Sequence, residues 1–221
     1  DLWCKASWLS FHDDDASLRF RFSFGMEGFE DVSADPERQY WAGELCTKIF
    51  PESELITKNS DILQHMTSIL GHQPAFVERI VYFNAPNGGA QFHHDVERGH
   101  AGVVFAQLSG ATFWLAASKP LLMQLMCDFS QEHVVKDELQ MLLHQAQALS
   151  DYMEEPDHSL VEELIDQNPT FIAYMVERGF AHVLHTGDVL FLPQRDLNNC
   201  VWHSVFTLGD EPGEALSFAV R

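Results

Sequence analysis

The side chains best suited to chemistry lie in Gln91-Phe92-His93-His94-Asp95 and, far along the chain, in Gly187-Asp188-Val189-Leu190-Phe191-Leu192-Pro193 followed by Trp202-His203. If Phe92 to Val96 is a strand, its period of two puts His93 and Asp95 on one face and His94 on the other. A strand returning beside the first would bring His203 to the same face. Two imidazoles and one carboxylate then hold one side of a metal ion and leave its other positions open, the ligand set that suits Fe(II) working with O₂. His-x-Asp alone is a weak signal in a chain with 12 histidines. It gains weight from the second segment, which reads as a turn, a buried strand and a histidine beyond it. His182 and His185 are the alternative third ligands.

The elements that must position these groups follow from patterning. Leu18 to Phe24 alternates, with Leu18, Phe20, Phe22 and Phe24 on one face and Arg19, Arg21 and Ser23 on the other, as a half-buried strand does. Asp35-Pro36 opens a helix that runs to about Phe50, and a second helix after Pro51 ends at Gly71. Phe76 to Asn84 is rich in β-branched and aromatic residues and leads through Ala85-Pro86-Asn87-Gly88-Gly89 into the metal strand. Val103 to Leu108 and Ala111 to Ala116 are strands joined at Ser109-Gly110. Strands return at Ala181 to His185, Val189 to Leu192, Val201 to Thr207 and Ala215 to Val220.

Short strands with glycine turns indicate a barrel or sandwich. Between them the spacing turns helical, with Leu121, Leu122, Leu125 and Met126, then Leu139, Leu142, Leu143 and Ala146. The expectation is one domain over residues 1–221. It has an N-terminal α/β portion over 1–75, barrel strands over 76–117 and 181–221, and a helical insertion over 118–180 that could form a homodimer face. Residues 1–17 read as an aromatic and then acidic loop, in which His12 beside Asp13, Asp14 and Asp15 is a weak second metal candidate.

Composition bounds the partners. Thirteen Lys+Arg against 33 Asp+Glu give a formal charge of −20. A field of that sign disfavours nucleic acid and anionic membrane surfaces, and favours a neutral or cationic small molecule or peptide. The four cysteines have no C-x-x-C spacing and read as reduced thiols, and no apolar run approaches the ~18 residues that span a bilayer. The expected location is cytoplasmic.

The chain resembles the cupin-like, JmjC-type 2-oxoglutarate-dependent Fe(II) oxygenases. The matching pieces are His93-His94-Asp95, Phe105-Ala106-Gln107-Leu108-Ser109-Gly110-Ala111-Thr112-Phe113-Trp114, the Gly187 to Pro193 segment, and Trp202-His203-Ser204-Val205. The resemblance implies a double-stranded β-helix (jelly-roll) barrel with helices, iron held by His93, Asp95 and His203, and 2-oxoglutarate as cosubstrate, its decarboxylation to succinate coupled to hydroxylation of the substrate. It also exposes a departure. The lysine or arginine that commonly grips the distal carboxylate of 2-oxoglutarate would fall at Thr112, which is uncharged. Arg221 on the last strand is the first substitute, Lys119, Arg98 and Arg79 are weaker ones, and Thr112 and Tyr82 could add hydroxyl donors. His94 is expected to point away from the metal, and Trp114 and Trp202 to shield it or to pack. An iron enzyme using O₂ without 2-oxoglutarate, and a cupin-like binding protein with a purely structural metal site, are the alternatives.

Overall fold

Eight of the strands form the barrel by an interleaving that the chain order alone would not suggest. The computed structural model describes residues 2–8, 17–24, 36–86, 88–97 and 99–221, with only the backbone given for 2–8, 23 and 24. The expectations placed on His12 to Asp15, Asp35, Asn87 and Arg98 lie outside the described residues. Among the described residues, the barrel strands are β3 (Phe76–Asn84), β4 (Gly89–His93), β5 (Gly102–Ser109), β6 (Ala111–Ser118), β7 (Ala181–His185), β8 (Val189–Pro193), β9 (Val201–Leu208) and β10 (Gly213–Val220). One sheet runs β3-β10-β5-β8 and the other β4-β9-β6-β7, and every pairing is antiparallel. Successive strands thus alternate between two facing sheets, except that β6 and β7 are neighbours in the second, the double-stranded β-helix that the resemblance implied.

The first sheet is longer than the barrel needs. β2 (Leu18–Phe24) pairs with β3, and β1 (Leu2–Trp8) pairs with β2 to form the edge, so the sheet has six strands in the order β1-β2-β3-β10-β5-β8. That corrects the reading of residues 1–17 as a loop. The apolar alternation of Leu2, Cys4 and Ala6 is too weak to announce a strand, and ladder pairing to β2 supplies what the pattern lacks.

Alternation gives the two faces of this sheet different tasks. Phe22, Val81, Val104, Leu216, Phe218 and Val220 form a buried cluster with Cys46, Ile56 and Met66 of the N-terminal helices. Those helices are α1 (Pro36–Ile49), α2 (Glu54–Thr57) and α3 (Ser60–Leu70). The second helix expected after Pro51 is therefore broken into a 3₁₀ turn, α2 and α3. The break falls at Asn59, whose side chain accepts from the N–H groups of Asp61 and Ile62 at 3.0 and 3.1 Å. Asparagine in that role caps a helix better than it propagates one. Gly71, at φ +81°, ends α3 as the sequence suggested.

The insertion comprises α4 (Lys119–Glu132), α5 (Asp137–Leu143), α6 (Ala146–Tyr152), α7 (Ser159–Ile165) and α8 (Pro169–Glu177). Its apolar residues, with Met126, Met153 and Met175 fully buried, share one core with Phe92, Leu115, Ala117 and Trp202 on the outer face of the second sheet. The methionine of α5, Met141, is exposed. The barrel interior keeps Phe105, Trp114, Leu184, Leu192 and Ala215 as an apolar lining. No described helix is long and apolar enough to cross a membrane.

Candidate metal centre and cavity

β4 ends at His93, three residues earlier than the strand expected from Phe92 to Val96, so Asp95 lies just beyond it. The facing argument from strand alternation therefore covers His93 alone, and Asp95 reaches the same point from the following loop. His93 pairs directly across the ladder with His203 of β9, and their rings stand 4.4 Å apart. Asp95 closes the triangle, with Oδ1 3.8 Å from His93 Nε2 and Oδ2 3.5 Å from His203 Nε2. One donor atom from each of the three lies within 4.8 Å of the others. His182 and His185, the alternative ligands, are exposed on β7.

The imidazoles are oriented for ligation. His93 Nδ1 lies 2.7 Å from the carbonyl oxygen of Gln91, and His203 Nδ1 lies 3.4 Å from that of Val201. A carbonyl oxygen only accepts, so each Nδ1 carries the proton and each Nε2 presents its lone pair toward Asp95, the tautomer a metal requires. Burial, reinforced by the neighbouring His93, pulls the His203 pKa down to about 4, so this ring stays neutral near pH 7. Trp114 stacks on His203 at 5.4 Å and fixes its plane. The donor set is thus two imidazole nitrogens and a carboxylate on one side, which fits a divalent first-row metal with open positions.

The triad sits in the wall of a cavity of about 450 Å³. The inward face of the six-stranded sheet contributes Arg19, Arg21, Glu78, Ile80, Tyr82, Val103, Phe105 and Ser217, and the insertion contributes His158 and Glu162. Arg21 donates to Glu78 and, at 3.4 Å, to Glu97. Burial pushes the Glu78 carboxyl up to about 7, with Glu97 and Asp95 adding to the rise and Arg21 opposing it. Burial also raises the Tyr82 phenol well above its ordinary value, so it keeps its proton as a donor.

The groups expected to grip a cosubstrate carboxylate are placed as follows. Tyr82 lines the cavity. Thr112 does too, but its hydroxyl donates to Gln107 Oε1 at 2.8 Å and accepts from Trp114 Nε1 at 2.8 Å, so it holds the wall together and has no proton to offer a ligand. Lys119 is buried at the start of the insertion, with Nζ donating to Glu154 at 2.6 Å and to the Ser150 carbonyl at 2.8 Å, and does not line the cavity. Arg221 does not line it either. Of the β10 residues only Ser217 lines the cavity; Val220 still shares the helix-side cluster with Leu216 and Phe218, and Arg221 lies just past the strand's end, where its backbone pairs with Ala75. Arg79 is half-buried on the helix side, where a side chain at Gly43 would strike its guanidinium.

His94 points away from the triad as expected. Its Nε2 meets Glu154 at 2.9 Å, and its ring packs edge-on against Trp202 at 5.3 Å. Trp202 thus lies in the core beneath the insertion rather than over the metal site, whereas Trp114 faces the cavity. The sequence reading missed Arg19 and Arg21 as cavity residues, although two arginines alternating with phenylalanines were the available signal. It also missed Glu154, His158, Glu162 and Asp166, which nothing in local patterning marks.

No family model matches the chain, and no curated protein sequence does. Similar solved structures include the Drosophila melanogaster CENP-C cupin domain, at 7% identity and TM-score 0.32, covering 66% of this chain and 68% of that one. KdgF from Halomonas sp. is similar at 10% identity and TM-score 0.29, covering 67% and 80%. The Escherichia coli ribosomal oxygenase YcfD, in complex with cobalt and succinic acid, is similar at 13% identity and TM-score 0.37 over 93% of this chain and 31% of that one. This chain therefore spans about a third of the length of YcfD. The geometry of the chain itself, rather than these likenesses, carries the functional reading.

Proposed function

We propose that the chain is a non-haem Fe(II) oxygenase that uses 2-oxoglutarate and hydroxylates a neutral or basic substrate. The observation that carries this reading is the convergence of His93 Nε2, His203 Nε2 and the Asp95 carboxylate on one side of a cavity, with both Nδ1 atoms turned onto backbone carbonyls. His93, Asp95 and His203 would hold the iron. When bound, iron supplies the O₂ chemistry that no side chain in the cavity can perform.

The rest is the work of the chain's own residues. Trp114 and Phe105, 4.7 Å apart, with Leu192 and Val205, make an apolar wall that keeps bulk water from the triad's inner side. Glu97 and, from the insertion, Glu162 add acidic groups to the cavity lining, which favours a basic group in the substrate. A second reading, an iron enzyme that uses O₂ without 2-oxoglutarate, is favoured by one observation, that Thr112 offers neither charge nor a spare proton.

The test is direct. Anaerobic addition of Fe(II) and 2-oxoglutarate should produce a weak visible charge-transfer band, and admission of air should release succinate. Iron binding without the band supports the second reading, and failure to bind iron overturns both.

A further inference from the structure

The three ligands are not held alike. His93 and His203 face each other across the β4–β9 ladder, so backbone pairing fixes the place of both. Asp95 stands instead on the loop between β4, which ends at His93, and β5, which begins at Gly102. Its aim therefore depends on what holds that loop. Val96 packs against the core of the insertion. Glu97 reaches the other way, to β2, where its Oε1 accepts from Arg21 Nη2 at 3.4 Å. The same nitrogen donates to Glu78 Oε2 of β3 at 2.5 Å. Glu78 is buried, and a buried carboxylate holds its cationic partner firmly, so the guanidinium is fixed on the sheet side and offers the loop a donor from a set direction. Arg21 thus joins the loop to two strands of the sheet, and β2 lies outside the eight that make the barrel.

We propose that Arg21 is a positioning residue for the metal centre: by holding Glu97 it sets the loop that aims Asp95 at His93 and His203. This rests on the metal-centre reading given above. Arg21 acts through Glu97, two residues along the chain from the ligand, and orients the carboxylate without ligating the metal. Partners of this kind, behind the ligands, tune metal affinity by fixing where a ligand points. The consequence is that β2, an addition to the barrel, is coupled to metal binding.

The direction of the effect separates positioning from charge. By electrostatics alone, removing a cation beside an acidic site leaves manganese(II) binding unchanged or tightens it, whereas lost positioning weakens it. The experiment titrates the metal-free full chain with manganese(II) by calorimetry. Arg21→Gln should weaken binding by roughly tenfold, the low end for a partner behind a ligand. Glu97→Asp keeps the charge and shortens the reach by one methylene, and should weaken binding by less. The double variant should bind no more weakly than Arg21→Gln alone, because both changes break one contact. If Arg21→Gln binds manganese(II) as tightly as the unaltered protein or more tightly, or if the two losses add, the positioning role is wrong while the metal centre stands. Arg21→Gln leaves Glu78 buried without this partner; should that variant fail to fold, Glu97→Asp decides alone, weaker binding supporting the role and unchanged binding overturning it. If the unaltered protein takes up no manganese(II), the metal-centre reading itself falls, before any variant is made.

Discussion

Two histidine–carboxylate clusters stand back to back at the end of β4, and they are built in opposite ways. In His93, Asp95 and His203 the facing donor atoms are 3.5 and 3.8 Å apart with no direct hydrogen bond joining them, and both histidines are fixed from behind by backbone carbonyls. In His94, Glu154 and Lys119 the same kinds of group touch, at 2.9 and 2.6 Å, and the lysine is fully buried. Adjacent residues of one strand end thus serve a convergent arrangement that faces a cavity and a closed one that ties barrel to insertion. The difference teaches how to separate a ligand set from a structural polar cluster. Donors that point together without bonding mark the first, and donors whose bonds are spent on each other mark the second.

The comparison can be broken most severely at its open side. Asp95→Ala or His93→Ala should abolish iron binding and all iron-dependent turnover, whereas His94→Ala should retain stoichiometric iron; metal analysis of the purified variants decides it. Iron lost from His94→Ala and kept in His93→Ala would invert the assignment. The closed side should fail as a matter of stability instead. Glu154→Ala leaves the Lys119 ammonium buried with only the Ser150 carbonyl, and should cost about 2–4 kcal/mol in denaturant unfolding. His94→Ala removes one partner of the network from its rim and should cost about 1–2 kcal/mol.

The smallest effect concerns Asp166, from the insertion, which accepts the Phe92 N–H at 2.8 Å and so closes the free edge of β4. Burial raises its pKa from 3.8 to about 6, although the Phe92 hydrogen bond opposes the rise. The folded state therefore holds this proton more tightly than the unfolded chain. Stability is lost as pH climbs from about 4 to about 6, and is level beyond that. Asp166→Asn keeps the acceptor and removes the titration. Relative to the unaltered protein it should gain about 1–2 kcal/mol between pH 4 and pH 7, after allowing for solvent screening at a half-buried site. Chemical denaturation at the two pH values measures it, and a constant difference would show that Asp166 does not titrate in this window.

Much of the barrel was legible in the sequence because its strands announce themselves by residue type. Phe76–Asn84 and Ala181–His185 fall where β-branched and aromatic runs placed them, and the other barrel strand ends except those of β4 lie within two residues of expectation. His203 was legible as well, since an apolar strand, a turn and a second strand constrain where a returning histidine can stand. Two things were not. Alternation in Leu18 to Phe24 correctly divided arginines from phenylalanines, but it assumed that the polar face meets water. Both faces of that sheet are covered, one by helices and the other by the cavity, so the arginines point inward. Local pattern carries no information about which face encloses a cavity. Nor could it show that the cavity wall on β10 stops at Ser217, short of Arg221 beyond the strand's end.

The place of the final strand has a consequence in time. β10, which follows the other seven barrel strands in the chain, lies between β3 and β5, with a partner on either hand. Until it arrives, β3 and β5 each present an unpaired, apolar edge, and an incomplete chain carries the hazards of such edges during synthesis.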